Sequence, residues 1–213
     1  MTLLADVVRA EREDLVALLA TLGPEQWATA SLCAGWTVRD VAGHLAWAAG
    51  AGGRELLGDL VRARARPNVI IAETAVRWAR REPAVLVEEL RRAAADGAKP
   101  PGMPATAVLV DAVLHGLDVR RPLGRPRPVP AEAFAPVADF CAGARFPSSA
   151  LLGGPVRRRL AGIRLVAEDR DWAHGDGAEV HASGEAVLLV LSGRPVDPDE
   201  LRGPGAATLA ARL

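Results

Sequence analysis

The 213-residue chain has 26 basic and 26 acidic side chains, and half of its residues are apolar. This balance is typical of a globular protein with a buried core, and the lack of a basic excess argues against nucleic-acid binding. No apolar run is long enough for a membrane span, and the N-terminus lacks a signal-peptide pattern. The two cysteines lack the spacing of a zinc or redox pair, and a reducing cytoplasm is the simpler setting for them. From charge, hydropathy and cysteine usage together, we expect a cytoplasmic protein that binds neither membranes nor nucleic acid.

Amphipathic helices are predicted over the first two thirds of the chain. Residues 2–24 carry apolar side chains at helical spacing and end at Gly23-Pro24. Thr37 is the predicted N-cap of a helix in residues 36–60, and glycines near the middle of that segment are expected to interrupt it. Further helices are predicted over residues 68–97, with a break at Pro83, and over residues 105–124 and 131–146.

The pattern changes after about residue 150. Residues 163–169 and 178–183 predict short strands around a Gly-Asp turn, and residues 184–196 predict an apolar helix. The residues alone therefore predict a mainly α protein, a helical bundle followed by a small α+β unit.

Asp111 and His115 lie four residues apart on a predicted helix, so their side chains share one face. This spacing lets two side chains converge on one ion. His44, on another inward-facing helix, could supply a third ligand. Two imidazole nitrogens and one carboxylate oxygen suit zinc with an open coordination position, while nickel, iron and manganese are also compatible. The same pattern fits a buried, hydrogen-bonded Asp–His pair without an ion, and spacing alone leaves both readings open.

Three stretches resemble a known family. "LCAGWTVRDVAGHLAW", residues 32–47, is similar to the GW-x-V-x-D-x-x-x-H-L segment of DinB-like helical bundles, and within these to the mycothiol-dependent maleylpyruvate isomerase family. "VLHGLDVRRPLG", residues 113–124, is similar to the HgxDvRRplG stretch of the same family. The third, "DRDWAHGDGAEVHASGEAVLLVLSGR", residues 169–194, is similar to the family's small C-terminal domain. The resemblance implies a DinB-like four-helix bundle over residues 1–147 and a small α+β C-terminal domain over residues 148–213.

The resemblance also implies a metal site, with His44, Asp111 and His115 at the positions of the family's ligands. The family has glutamate where this chain has Asp111, which is one methylene shorter. Arg194 matches an arginine implicated in substrate binding in the family's C-terminal domain, and its planar guanidinium suits a carboxylate.

The implied function is that of a divalent-metal enzyme, with zinc favoured, that uses mycothiol as a thiol cosubstrate to isomerise a maleylpyruvate-like substrate. A thiol S-transferase and a non-catalytic metal- or ligand-binding bundle are the alternatives. A small-molecule substrate and a low-molecular-weight thiol are the expected partners, and the chain is expected to be a monomer or a homodimer.

Three further residues are assigned structural or weaker functional roles. Asp118 is interpreted as an ion-pair partner of a neighbouring arginine, with orientation of the ligand shell as the alternative. Cys33 is interpreted as a packing residue because no paired base is evident. Arg77 is a weaker candidate than Arg194 for binding a substrate carboxylate. Four tryptophans are interpreted as core residues, with the lining of a pocket as the alternative: Trp27, Trp36, Trp47 and Trp78. His174 and His181 are interpreted as surface or turn residues.

Overall fold

The computed structural model describes residues 3–62, 67–100, 102–146 and 148–213. Within these ranges the chain divides into two compact units, Met1–Pro126 and Arg127–Leu213. The first unit is helical, and the second combines short helices with a small sheet. The protein is therefore mainly α, with its sheet near the C-terminus, as predicted.

The first unit contains seven described helices. They are α1 (Leu4–Leu19), α2 (Pro24–Trp27), α3 (Val38–Gly50), α4 (Gly53–Arg62), α5 (Pro67–Trp78), α6 (Pro83–Asp96) and α7 (Ala105–Arg120).

Four of these helices form a bundle in which each packs against two others. Helix α1 packs against α6 and α7, and α3 packs against the same two helices from the other side. Helix α5 packs along α3 outside this ring. The bundle core is closely packed around Val38, Val41 and Leu86, which have no exposed side-chain surface.

Local signals set the ends of several of these helices. The Thr37 hydroxyl accepts a hydrogen bond from the Asp40 amide, and the Asp40 carboxylate accepts one from the Thr37 amide, which is a capping box. Pro83 occupies the first turn of α6, where its missing amide hydrogen costs nothing. The glycines that follow α3 coincide with the break before α4. These predictions are confirmed.

The second unit has five helices and three strands in its described part. They are α8 (Ala131–Gly143), α9 (Ser148–Leu151), α10 (Val156–Arg159), β1 (Ile163–Ala167), β2 (Ala173–His174), β3 (Ala178–Ala182), α11 (Gly184–Leu191) and α12 (Ala206–Ala210), with a short 3₁₀ turn at Pro198–Glu200.

The sheet has the order β2-β1-β3, with β1 antiparallel to β2 and parallel to β3. Val180 faces Leu165 in the parallel pair, and both are fully buried. Helix α11 packs on β1 and β3 and also against α8. Its leucines and valines are fully buried, which explains why the sequence is apolar all round. Strand β2, within the segment predicted as a turn, was not predicted.

The contacts divide the chain at Pro126, ahead of the boundary predicted at residue 147. The difference concerns α8, which packs against α10 and α11 of the second unit. The proline-rich segment between α7 and α8 marks the change. Among the described helices, none combines the length and apolarity that a membrane crossing requires.

Candidate metal centre

Helix α7 places Asp111 and His115 one turn apart on the same face. The Nε2 atom of His115 lies 3.4 Å from Oδ1 of Asp111. The His115 side chain is 12% exposed and the Asp111 side chain 30%, so the pair lies at the wall of the bundle rather than deep in its core. The helical spacing noted in the sequence therefore does bring these two groups together.

His44 approaches the same carboxylate oxygen from α3. Its Nε2 atom also lies 3.4 Å from Oδ1 of Asp111, and its ring centroid is 5.0 Å from that of His115. The preceding residue, Gly43, lets α3 pack closely on α5: a Cβ there would lie 2.6 Å from the carbonyl oxygen of Ala75. The close helix contact thus fixes the position from which His44 enters the site.

The three donor atoms are grouped as a metal ion requires. The ligand atoms of His44, Asp111 and His115 all lie within 4.8 Å of one another. A tetrahedral zinc ion with bonds of about 2.0–2.1 Å separates its ligand atoms by roughly 3.3–3.4 Å. Both histidine–carboxylate distances, 3.4 Å each, match that separation and exceed the usual length of an N–H···O hydrogen bond. The donor set and its spacing therefore fit a divalent ion.

Asp118 holds the second nitrogen of His115. Its Oδ2 atom lies 2.7 Å from Nδ1 of His115, and the carboxylate is fully buried. Metal-binding histidines commonly donate their other ring N–H to a carboxylate, which fixes the tautomer and the ring orientation. Arg120, one of the two arginines considered as its partner, forms an ion pair with Asp14. The geometry thus supports the orienting role for Asp118, which the sequence analysis gave only as the alternative.

Cys33 also contacts His115 and Asp118. Its thiol donates a hydrogen bond to Oδ2 of Asp118 at 3.0 Å, and its sulfur lies 3.7 Å from Nδ1 of His115. The structure therefore places an imidazole and a carboxylate beside Cys33, for which no paired base was evident in the sequence. Cys33, His115 and Asp118 form a second group with ligand spacing, on the opposite nitrogen of the same imidazole.

The loop before α3 places Cys33 and Trp36 beside the histidines. The Leu32 amide donates to the carbonyl oxygen of Asp118, which attaches the loop to the end of α7. The Ser31 amide and hydroxyl both donate to the Trp36 carbonyl oxygen and close the loop. The Trp36 ring then lies 5.5 Å from His44 and 6.3 Å from His115 between ring centroids. Trp27, Trp47 and Trp78 are buried core residues as predicted. Trp36 is partly buried and packs against the same core cluster, beside the two histidines.

Electrostatic coupling shifts the pKa values of the α7 pair in opposite directions. Burial raises the pKa of Asp111, but the close contacts with His115 and His44 and their charge outweigh it and hold the pKa well below its usual range. Burial lowers the pKa of His115, but the contacts with Asp111, Asp118 and Cys33 raise it well above its ordinary 6.5. Without an ion, Asp111 is therefore a carboxylate that faces a protonated His115.

Residues 8–120 match the family described as mycothiol maleylpyruvate isomerase N-terminal domain, which covers more than half of the chain. The chain belongs to this family. The matched region contains all three candidate ligands as well as Cys33 and Asp118.

Solved structures and curated sequences add two further comparisons. A crystal structure of the mycothiol-dependent maleylpyruvate isomerase and one of its histidine-to-alanine variant align over 95% of this chain and 92% of theirs, each with a TM-score of 0.62. At 14% and 13% identity they show that the family member shares their fold. Two uncharacterised proteins of Mycobacterium tuberculosis, from strains CDC 1551 and H37Rv, are each 34% identical over 148 residues. That match covers 57% of this chain and 56% of each relative, so it spans little more than half of their length.

The remaining candidates lie outside this cluster. Arg194 follows α11 in the second unit, where its Nη1 donates to the Ser192 carbonyl oxygen, and its role toward a substrate carboxylate stays a prediction. Arg77 forms ion pairs with Asp59 and Glu55, and its role toward a substrate carboxylate also stays a prediction.

Histidines 174 and 181 lie in the second unit, exposed and partly exposed respectively, as expected. Sequence reasoning missed Cys33 as a neighbour of the site. Cys33 lies in a loop without periodicity, and the only signal for it was its place in the family-like segment before His44.

Proposed function

We propose that this family member is a divalent-metal-dependent enzyme that uses a low-molecular-weight thiol, by family resemblance mycothiol, to isomerise a maleylpyruvate-like substrate. The observation that carries the proposal is the convergence of His44 and His115 on one Asp111 oxygen, at 3.4 Å each. The Asp118 carboxylate behind His115 supports this proposal, because metal-binding histidines commonly donate their other ring N–H to a carboxylate.

His44, Asp111 and His115 would hold the ion, and zinc is the metal that this donor set favours. A divalent ion held there would lower the pKa of a bound thiol, so that a thiolate would be present at neutral pH. Addition of the thiolate to an activated double bond leaves a single bond about which the substrate rotates. Elimination of the thiolate then restores the double bond in the trans form.

The protein's own residues orient and shield this chemistry. Asp118 retains the Nδ1 proton of His115, which leaves Nε2 free to face the site. Trp36 lies beside the two imidazole rings, where it would limit the access of water to them. Arg194 is the proposed ligand of a substrate carboxylate.

Metal content and thiol-dependent turnover together test the proposal. Purified protein should carry about one divalent ion, and His44→Ala or His115→Ala should lose most of it, because three ligands leave no redundancy. His174→Ala is the matched control, since that histidine is exposed and lies in the other unit. Elemental analysis gives the occupancy. Full occupancy in both ligand variants would contradict the site.

Turnover of maleylpyruvate with mycothiol then separates catalysis from binding. We expect activity in the wild type, retention of metal in Asp111→Glu, and loss of both metal and activity in Asp111→Ala. S-conjugates formed with electrophiles, without isomerisation, would indicate a thiol S-transferase instead. Metal without any thiol-dependent reaction would indicate a binding module.

A further inference from the structure

A cleft opens beside Asp111 within the helical bundle of the first unit. It has about 360 Å³ of empty space, a volume that includes open solvent, so it is an open cleft and not an enclosed cavity. Its walls come from α1, α3, α6 and α7. Apart from Asp111 and Arg12 they are apolar, formed by Leu15, Val16, Leu45, Ala49, Leu90, Ala93 and Ala112.

Arg12 is the one basic side chain in this wall. Its Nη1 donates to the carbonyl oxygens of Ala93 at 3.2 Å and Ala98 at 2.6 Å, which tie the guanidinium to the end of α6. Among the described residues these carbonyls are its only hydrogen-bond partners, and no carboxylate lies within ion-pair distance. Two of its three nitrogens therefore remain as donors for another group.

The charge of Arg12 is poorly compensated for its position. Burial lowers the pKa of its guanidinium, while Asp111, the carboxylate that acts on it through space, raises it. The group nevertheless stays protonated, because the pKa of arginine is too high for burial to neutralise it. A fixed cation in an apolar wall is a recognition element for an anion.

We propose that this cleft binds the substrate as a small organic carboxylate with an apolar body. The carboxylate binds the free guanidinium nitrogens of Arg12, the apolar body lies against the leucines and valine of α1, α3 and α6, and the reacting end lies toward Asp111. The proposal rests on the proposed function and narrows its substrate class to carboxylates with an apolar body, because the lining apart from Arg12 and Asp111 is apolar.

Binding of hexanoate to the full-length, metal-free protein tests this proposal. Metal is removed because a carboxylate could otherwise coordinate the ion and hide the contribution of Arg12. Hexan-1-ol and hexylammonium, of equal chain length, are the comparison ligands, and dissociation constants come from chemical-shift titrations. We expect hexanoate to bind about tenfold more tightly than hexan-1-ol, in line with the free energy of one charge-assisted hydrogen-bond pair, and hexylammonium to bind most weakly.

Matched variants identify the source of the preference. Arg12→Gln should weaken hexanoate binding about tenfold and leave hexan-1-ol binding unchanged, which also shows that the cleft is still formed. Arg12→Lys should keep part of the preference, because it retains the charge. Arg9→Gln, which removes an exposed arginine of the same helix, should behave as the wild type. Ala49→Phe should fill the cleft and weaken both ligands.

Two results would overturn the proposal: equal hexanoate affinity in the wild type and Arg12→Gln, or hexylammonium binding as tightly as hexanoate. Failure of the proposed function gives a different result, because Arg12-dependent hexanoate binding would then persist in a protein without metal or thiol-dependent activity. Thiol-dependent turnover without hexanoate binding would refute the cleft alone.

Discussion

At the scale of single residues, the site depends on what each imidazole nitrogen faces. His115 has a carboxylate on each side, with Asp111 near Nε2 and Asp118 at Nδ1. Because the buried Asp118 carboxylate contacts Nδ1, Nε2 is the nitrogen of His115 that faces the site. A second consequence is that His115 holds a proton strongly when no ion is bound, so a metal must displace that proton.

Removing the charge behind His115 should weaken metal binding. Asp118→Asn keeps the shape of the side chain and can still accept from Nδ1, but it loses the charge that increases the basicity of the ligand. We expect the affinity for zinc to fall about 10–100-fold, measured by competition with a chromophoric chelator. Asp96→Asn, at the exposed end of α6, is the control. An unchanged affinity in Asp118→Asn would show that this carboxylate is only structural.

Metal affinity should increase with pH. The pKa of His115 in the metal-free protein is raised above 6.5, whereas that of Asp111 is lowered, so His115 carries the competing proton and Asp111 is ionised throughout. As the pH falls, affinity should therefore begin to decrease while the pH is still above 6.5. Zinc titrations at several pH values measure this. In Asp118→Asn the decrease should move to lower pH, and a flat profile in the wild type would contradict histidine ligation.

The two cysteines should differ in reactivity. Burial raises the pKa of the Cys141 thiol to about 12, partly opposed by the charge of Arg194, so its thiolate is scarce at neutral pH. Cys33 is partly exposed. Iodoacetamide at about pH 8, near the ordinary pKa of a thiol, should alkylate Cys33 alone in the folded protein and both cysteines in urea. Mass spectrometry locates the adducts, and Cys33→Ser should take up none when folded. Rapid native alkylation of Cys141 would contradict its burial.

At the scale of elements, the contact between α3 and α5 positions His44. The helices approach so closely at Gly43 that a side chain there meets the Ala75 carbonyl oxygen of α5 and the amide of Ala79, just after α5, 2.7 Å away. Backbone atoms on a packed helix cannot move aside as a flexible side chain can. Any larger residue must therefore separate the two helices next to a candidate ligand.

Gly43→Ala should destabilise the protein despite the better helix propensity of alanine. We expect a loss of about 1–3 kcal/mol in the free energy of unfolding, as for overpacked cores, together with weaker metal binding as His44 shifts. Urea denaturation measures the first effect. The control is Gly58→Ala in α4, where a Cβ meets nothing within 4 Å and we expect a gain of about 0.4–1 kcal/mol. Equal stability changes in the two variants would contradict the tight contact.

At the scale of the whole molecule, the candidate ligands all belong to one compact unit. His44, Asp111 and His115 lie within Met1–Pro126, on two helices of the bundle, α3 and α7. An ion held by both helices cross-links them in the folded state only. Metal binding is therefore expected to add to the stability of the first unit.

Zinc should raise the melting temperature of the transition that contains the first unit. At a free concentration of about 100 times the dissociation constant, mass action adds about 2.7 kcal/mol. For a chain of this length that corresponds to about 5–10 °C. Differential scanning calorimetry with zinc and with chelator measures the shift, and His115→Ala should show none. A wild-type melting temperature that is independent of zinc would contradict binding at this site.

The sequence by itself determined the features that depend on neighbours along the chain. These features are local, so they could be predicted without knowledge of the fold. They are the helix periodicity, the Thr37 cap, the helix start at Pro83 and the one-turn spacing of Asp111 and His115. Family-like motifs added the pairing of these residues with His44. The local pattern also located two of the three strands.

Only the tertiary structure decided the contacts between residues far apart in sequence. Cys33 and Asp118 are 85 positions apart, and Arg12 and Ala98 are 86 apart, yet each pair is hydrogen-bonded. No periodic pattern relates such positions, because their approach depends on how α1, α6, α7 and the loop before α3 pack together. The parallel pairing of β1 with β3 has the same origin. The physical reason is that packing brings these groups together, whereas the local pattern specifies only the elements that carry them.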